Sequence, residues 1–147
     1  MPAVTRRTLL ESLSAIPLLS AALMAASQRA DPKQASTTVF ELRVYHAAPG
    51  KLGDLLARFR EHTTKLFEKH GMKNVAYWTP VDEPERGNML VYILQHPSRD
   101  AATANWKSFQ DDPEWKRVKE ESEAHGKLAE KIDSTFMSLT DFSPRLR

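Results

Sequence analysis

An acid, a guanidinium and a phenol follow one another at two-residue spacing in the segment 40–45. Because apolar residues alternate with them, the segment is predicted to be a β-strand with Glu41, Arg43 and Tyr45 on one face. Charged side chains on a buried sheet face have to be paired. The row is therefore either a structural network across a dimer or a binding site for an anionic or phenolic ligand.

His62 is the catalytic candidate. It lies three residues after Phe59 and four before Leu66, so helical periodicity places it on or beside a buried stripe. A polar ring there needs a partner. We interpret it either as a proton acceptor or ligand-binding group in a pocket between helix and sheet, or as a hydrogen-bonded structural histidine. His70, next to Gly71, is explained by the favourable effect of positive charge at a helix C-terminus.

Large aromatic side chains are the second candidate group. Trp78, Tyr92, Trp106 and Trp115 either wall a pocket for a flat ligand or belong to the hydrophobic core. Trp78, Tyr92 and Trp106, together with the row on the first strand, are the predicted ligand-binding residues.

No cofactor is identified from the sequence. It contains no phosphate-binding glycine loop, no His-Glu-x-x-His motif and no nucleophile elbow. The absence of cysteine excludes disulfides, thiolate nucleophiles and iron–sulfur clusters. The five histidines have no spacing diagnostic of a metal, so no metal ligands are predicted, and haem stays open as a cofactor.

The charge pattern argues against nucleic acid as a partner. The formal net charge is +2, and basic residues are interleaved with acidic ones through 51–73 and 107–131. Such interleaving is typical of solvated helix faces rather than of a phosphate-binding stripe.

The N-terminus resembles an export signal. The pair Arg6-Arg7 precedes an apolar run that is too short and too rich in serine and alanine for a good membrane span. Ala25 and Ser27 offer a peptidase site, so residues 1–27 are predicted to be a twin-arginine-type signal peptide. The alternative is an uncleaved amphipathic anchor. With cleavage, the product is periplasmic or secreted and has no stable membrane anchor.

The rest of the chain is predicted to be a flexible leader, 28–37, and one domain, 38–147. Periodicity and capping signals predict a strand over 39–46, a helix over 51–70, a hairpin of strands over 75–79 and 89–95, a helix capped by Ser98, a helix capped by Asp112, and a strand over 134–140. This β-α-β-β-α-β order is the ferredoxin-like plan, an α+β domain whose antiparallel sheet carries helices on one face.

The other face of this sheet needs a cover. Val39, Tyr45 and one of Tyr77 or Trp78 are assigned to it, which makes it too apolar for contact with water. The simplest cover is the sheet of a second subunit, so a homodimer is predicted.

Several motifs occur in an order that resembles the NIPSNAP family: the segment 40–45, Pro49-Gly50-Lys51, 58–63, 66–71, 77–80, Ser98-Arg99, 106–109, 112–115 and 140–144. The resemblance covers residues 39–144 and implies a dimeric α/β barrel. It does not imply a reaction, because neighbours of this fold include small monooxygenases, isomerases of ring-cleavage pathways and haem-handling enzymes.

Three functions are compatible with the sequence. The first is an exported homodimer that binds a small apolar or aromatic organic molecule, either with or without oxidising or isomerising it. The second is a non-catalytic protein-interaction module that uses its charged helical surface. The third is a haem-binding protein.

Overall fold

The computed structural model describes residues 38–144 and Leu146. Its elements are β1 (Val39–Ala47), α1 (Leu52–Arg58), a π-helical segment (Phe59–Thr63), α2 (Thr64–Lys69), β2 (Lys73–Trp78), β3 (Met89–His96), α3 (Arg99–Asp111), α4 (Pro113–Ser122) and β4 (Ala129–Met137). The predicted signal peptide, 1–27, and leader, 28–37, lie outside the described residues. Within residues 38–144, no helix is both long and apolar enough to cross a bilayer.

The four strands form one antiparallel sheet in the order β2-β3-β1-β4. The apolar residues of β1 and β3 suit the two central positions, where a strand has a hydrogen-bonded neighbour on each side. The register aligns Tyr77, Tyr92, Arg43 and Ser134 in one row across the sheet. The predicted α+β, ferredoxin-like sheet is confirmed.

The starts of α3 and α4 follow from local chemistry. The Ser98 hydroxyl accepts a hydrogen bond from the Ala101 amide at 3.0 Å, and the Asp112 carboxylate accepts one from the Glu114 amide at 2.8 Å. Both caps are therefore confirmed, because each satisfies an otherwise free donor of a first helical turn. Asp112 Oδ2 also lies 2.6 Å from His70 Nε2, which ties the end of α2 to the start of α4.

The helices cover the face of the sheet that bears Glu41, Arg43 and Tyr45. Tyr45 is buried against Phe59 of the π-helical segment, with ring centroids 5.5 Å apart. The assignment of Val39 and Tyr45 to the uncovered face is therefore wrong, whereas Trp78 does lie there. The physical reason is that β1 is apolar on both faces, so alternation alone does not identify the covered one.

The uncovered face carries its own apolar stripe. Leu42, Val44, Val91 and Ile93 occupy its centre and are partly exposed, and Trp78 is 49% exposed. We call these five residues the open sheet face.

The last strand begins and ends earlier than predicted. It runs over Ala129–Met137 instead of 134–140. The first half of this strand contains the charged residues Glu130, Lys131 and Asp133. Hydrophobic periodicity therefore does not identify it as a strand. Charged side chains are common on edge strands such as β4, where they oppose pairing with another chain.

Candidate functional site

Glu41 is the centre of a buried polar network and is only 1% exposed. Its Oε1 accepts hydrogen bonds from Arg43 at 2.9 Å and from the Ser134 hydroxyl at 2.7 Å. Its Oε2 accepts one from Trp106 Nε1 at 2.6 Å and lies 3.1 Å from His96 Nε2. Burial alone would raise the pKa of Glu41, but these four partners lower it to about 2. The carboxylate is therefore ionised at neutral pH and joins α3 to three strands.

Arg43 is held by this carboxylate. Its guanidinium lies over the Trp106 ring, 4.4 Å from the centroid, and donates to the Tyr45 hydroxyl at 3.4 Å. Burial alone would lower the pKa of Arg43, but Tyr92, Tyr45 and Glu41 together raise it. Arg43 is thus a fixed positive charge, and its buried Nε has no hydrogen-bond partner among the described residues.

Two tyrosines stand next to this charge. The Tyr92 ring lies 5.5 Å from that of Tyr45 and is fully buried. Its hydroxyl is close to Arg43 and Tyr45 but makes no hydrogen bond of normal geometry within the described part of the chain. Burial, and the neighbouring Tyr45, raise the pKa of Tyr92 well above its usual value, so the hydroxyl stays protonated and can donate.

A cavity of about 610 Å³ opens beside Arg43, between α3, α4 and β4, and we call it the Arg43 cavity. Arg43 and Tyr45 lie at its base. Its walls and rim are formed by Arg58, Trp106, Phe109, Gln110, Trp115, Lys116, Lys119, Glu123, Lys127, Ala129 and Ile132. The volume is in the range of sites for small organic molecules, and the mixture of aromatic walls with a few polar groups is typical of them.

The comparison with protein families agrees with these motifs and this fold, because the NIPSNAP model matches residues 40–144. The chain belongs to the NIPSNAP family. A search of curated proteins finds no significant match.

Solved structures, among them two of NIPSNAP proteins, share the fold. An Agrobacterium tumefaciens NIPSNAP family protein is 20% identical, with a TM-score of 0.64, over 76% of this chain and 96% of that one. A NIPSNAP-like domain protein of Burkholderia xenovorans is 15% identical, with a TM-score of 0.65, over 76% and 93%. A monooxygenase of Streptomyces coelicolor, in complex with nanaomycin D, is also 15% identical, with a TM-score of 0.53, over 75% and 94%.

The NIPSNAP fold brings together most of the predicted ligand-binding residues. Glu41, Arg43, Tyr45, Tyr92 and Trp106 form the network and the base and wall of the cavity. Trp78 is not among them, because its side chain lies on the open sheet face.

His62 lies in a different place from the one predicted. Its side chain is 40% exposed, and Nε2 lies 3.9 Å from the Glu61 carboxylate. It lines a second groove of about 360 Å³ between the first helical region and α4, which shares Arg58 with the Arg43 cavity. The expected pocket between helix and sheet does not contain it, because the buried stripe runs through Phe59, Thr63 and Phe67 in this π-helical region.

Two members of the network were not singled out from the sequence. His96 is fully buried at the end of β3, and Ser134 lies on the charged edge strand β4. Both meet Glu41 only through the sheet register, for which the local sequence contains no signal. Within residues 38–144, no three His, Asp or Glu side chains are arranged to hold a metal ion.

Proposed function

We propose that this NIPSNAP domain binds a small aromatic molecule in the Arg43 cavity, with an oxygen of the ligand against Arg43. The observation that carries the proposal is a fixed guanidinium at the base of a cavity walled by Trp106 and Trp115. Aromatic walls favour a flat ring, and a guanidinium favours an electron-rich oxygen such as a carbonyl or phenol.

The same groups are suited to chemistry on that ligand. A cation and a neighbouring phenol, here Arg43 and Tyr45 at the base of the cavity, stabilise negative charge that develops on an oxygen when a proton is removed from the ligand. We therefore propose that the oxyanion formed when the ligand loses a proton to solvent is either isomerised, by return of a proton at another carbon, or oxidised by molecular oxygen, which accepts the electrons. The monooxygenase with this fold, crystallised with nanaomycin D, supports a reaction of this kind.

We also propose that the domain acts as an exported homodimer. The open sheet face is an apolar surface of the kind that a second subunit buries, and face-to-face packing of two such sheets gives a dimeric α/β barrel. The pair Arg6-Arg7 supports export by the twin-arginine route, and hence a periplasmic or secreted location.

Tryptophan fluorescence provides a test of binding. The chain has three tryptophans, of which Trp106 and Trp115 line the cavity. A Trp78→Phe protein therefore reports on the cavity alone. Titration with 1,4-naphthoquinone, a flat molecule with carbonyl oxygens, is expected to quench this fluorescence saturably.

Two variants of the reporter protein locate the site. Gln110→Phe, at an exposed position on the cavity wall, is expected to block the space and abolish saturable quenching without a loss of stability. Arg117→Met, on α4 but outside the cavity, is the control and is expected to bind normally. The proposal fails if quenching is not saturable, or if Gln110→Phe binds the quinone as well as the control does.

A further inference from the structure

The rim of the Arg43 cavity carries more basic than acidic side chains. Lys116, Lys119 and Lys127 line it, with Glu123 as the lining carboxylate. Glu123 is already paired, because Arg58 donates to its Oε1 at 3.0 Å. Lys119 and Lys127 form no ion pair within the part of the chain that the structure describes, whereas Lys116, after Lys107, helps to lower the pKa of Asp111.

Other basic residues on α3 and α4 do form ion pairs. On α4, Arg117 binds Glu121 at 2.8 Å, and on α3, Lys107 binds Asp111 at 2.5 Å. Opposite charges at this spacing normally pair on a solvated helix face. Two lysines that form no ion pair in the described residues, Lys119 and Lys127, therefore lie together at the mouth of the cavity.

Like charges grouped at the mouth of a cleft attract the opposite charge. The field of such a group is focused by the low-dielectric walls, and it raises the local concentration of anions. At the base, the charge of Arg43 is balanced by Glu41. The excess positive charge consequently lies at the rim and not at the base.

We infer that the ligand is an aromatic organic acid, with its ring between the aromatic walls and its acidic group at Lys119 and Lys127. This inference rests on the proposed function, since it assigns a chemical class to the molecule bound in the same cavity. The ligand would present a neutral oxygen to Arg43 and an anionic group, such as a carboxylate, to the rim.

A matched pair of probes separates charge from shape. 2-Naphthoate and 2-naphthamide have almost the same size, but only the first is charged. With the Trp78→Phe reporter at about 20 mM salt, 2-naphthoate is expected to bind about tenfold more tightly, and this preference should shrink at about 300 mM salt.

Two double variants, each of which removes two positive charges, test whether Lys119 and Lys127 cause the preference for 2-naphthoate. Lys119→Gln with Lys127→Gln is expected to remove it, through weaker binding of 2-naphthoate rather than tighter binding of 2-naphthamide. Arg117→Gln with Lys65→Gln removes the same number of charges outside the cavity, so it is the control and should retain the preference.

Each outcome has a distinct meaning. Equal binding of the two probes would overturn the inference and leave the proposed function standing. A preference for 2-naphthoate that survives in the Lys119 and Lys127 variant would also overturn it, because the acid would then bind elsewhere, for example at Arg43. Failure of both probes, and of 1,4-naphthoquinone, would overturn the proposed function as well.

Discussion

Replacement of Glu41 by glutamine tests the network on which the site is built. The variant keeps the shape of the side chain and removes its charge. Arg43 and Trp106 donate to the carboxylate in the native protein, and Ser134 donates to it as well. In the variant, the amide NH₂ group of the glutamine is itself a hydrogen-bond donor and faces these donors. Arg43 also loses its counter-charge.

The expected cost follows from the protonation of Glu41. A pKa lowered from 4.5 to about 2 corresponds to roughly 3 kcal/mol of folding free energy at neutral pH. Removing one partner of a buried ion pair generally costs about 3–5 kcal/mol, which agrees. For a domain of this size, we expect the melting temperature of Glu41→Gln to fall by about 12 °C or more.

Urea unfolding at fixed protein concentration, followed by circular dichroism, measures this loss. The difference from the native protein should be full at pH 7 and should diminish as the pH falls from 4.5 towards about 2, where native Glu41 becomes protonated in the folded state. Glu121→Gln, which breaks the exposed pair with Arg117, is the control and should cost less than about 0.5 kcal/mol. A loss below about 1 kcal/mol at pH 7, or one independent of pH, would refute the reasoning.

Three further predictions concern export, assembly and His62. Arg6→Lys combined with Arg7→Lys is expected to retain the precursor in the cytoplasm; normal periplasmic accumulation in cell fractions would contradict the twin-arginine assignment. The mature protein is expected to be a dimer at micromolar concentration by light scattering, and Val91→Lys on the open sheet face to yield a folded monomer; a monomeric unsubstituted protein would contradict this. His62→Ala is expected to change the free energy of unfolding by less than about 0.5 kcal/mol and to leave quinone binding unchanged. The reason is that the His62 side chain is 40% exposed and lies outside the Arg43 cavity. Weakened quinone binding would instead give His62 a role in the site.

The local elements of the fold are predictable from short stretches of sequence. Ser98 and Asp112 identify two helix starts, because a cap depends on residues only two or three positions away. The covered face of β1 is not predictable in this way, since Tyr45 and Val44 are both apolar enough for burial. That choice depends on how the helices pack on the sheet.

The candidate site is predictable to the extent that it lies on one strand. Glu41, Arg43 and Tyr45 share a face through simple alternation. Trp106 joins them only because α3 crosses that face, and His96 and Ser134 only because of the sheet register. Long-range partners of this kind require the fold.

The base and the rim of the Arg43 cavity are formed by different elements of the fold. The base depends on β1, β3 and β4, where a change to one member of the Glu41 network leaves a buried charge or donor without its partner. Lys119 belongs to α4, is exposed and forms no ion pair in the described residues, so its replacement disturbs little else. Under the proposed function, substitutions on α4 can therefore alter ligand preference while the groups beside the reacting oxygen stay the same, and homologous domains with an identical base need not share a substrate.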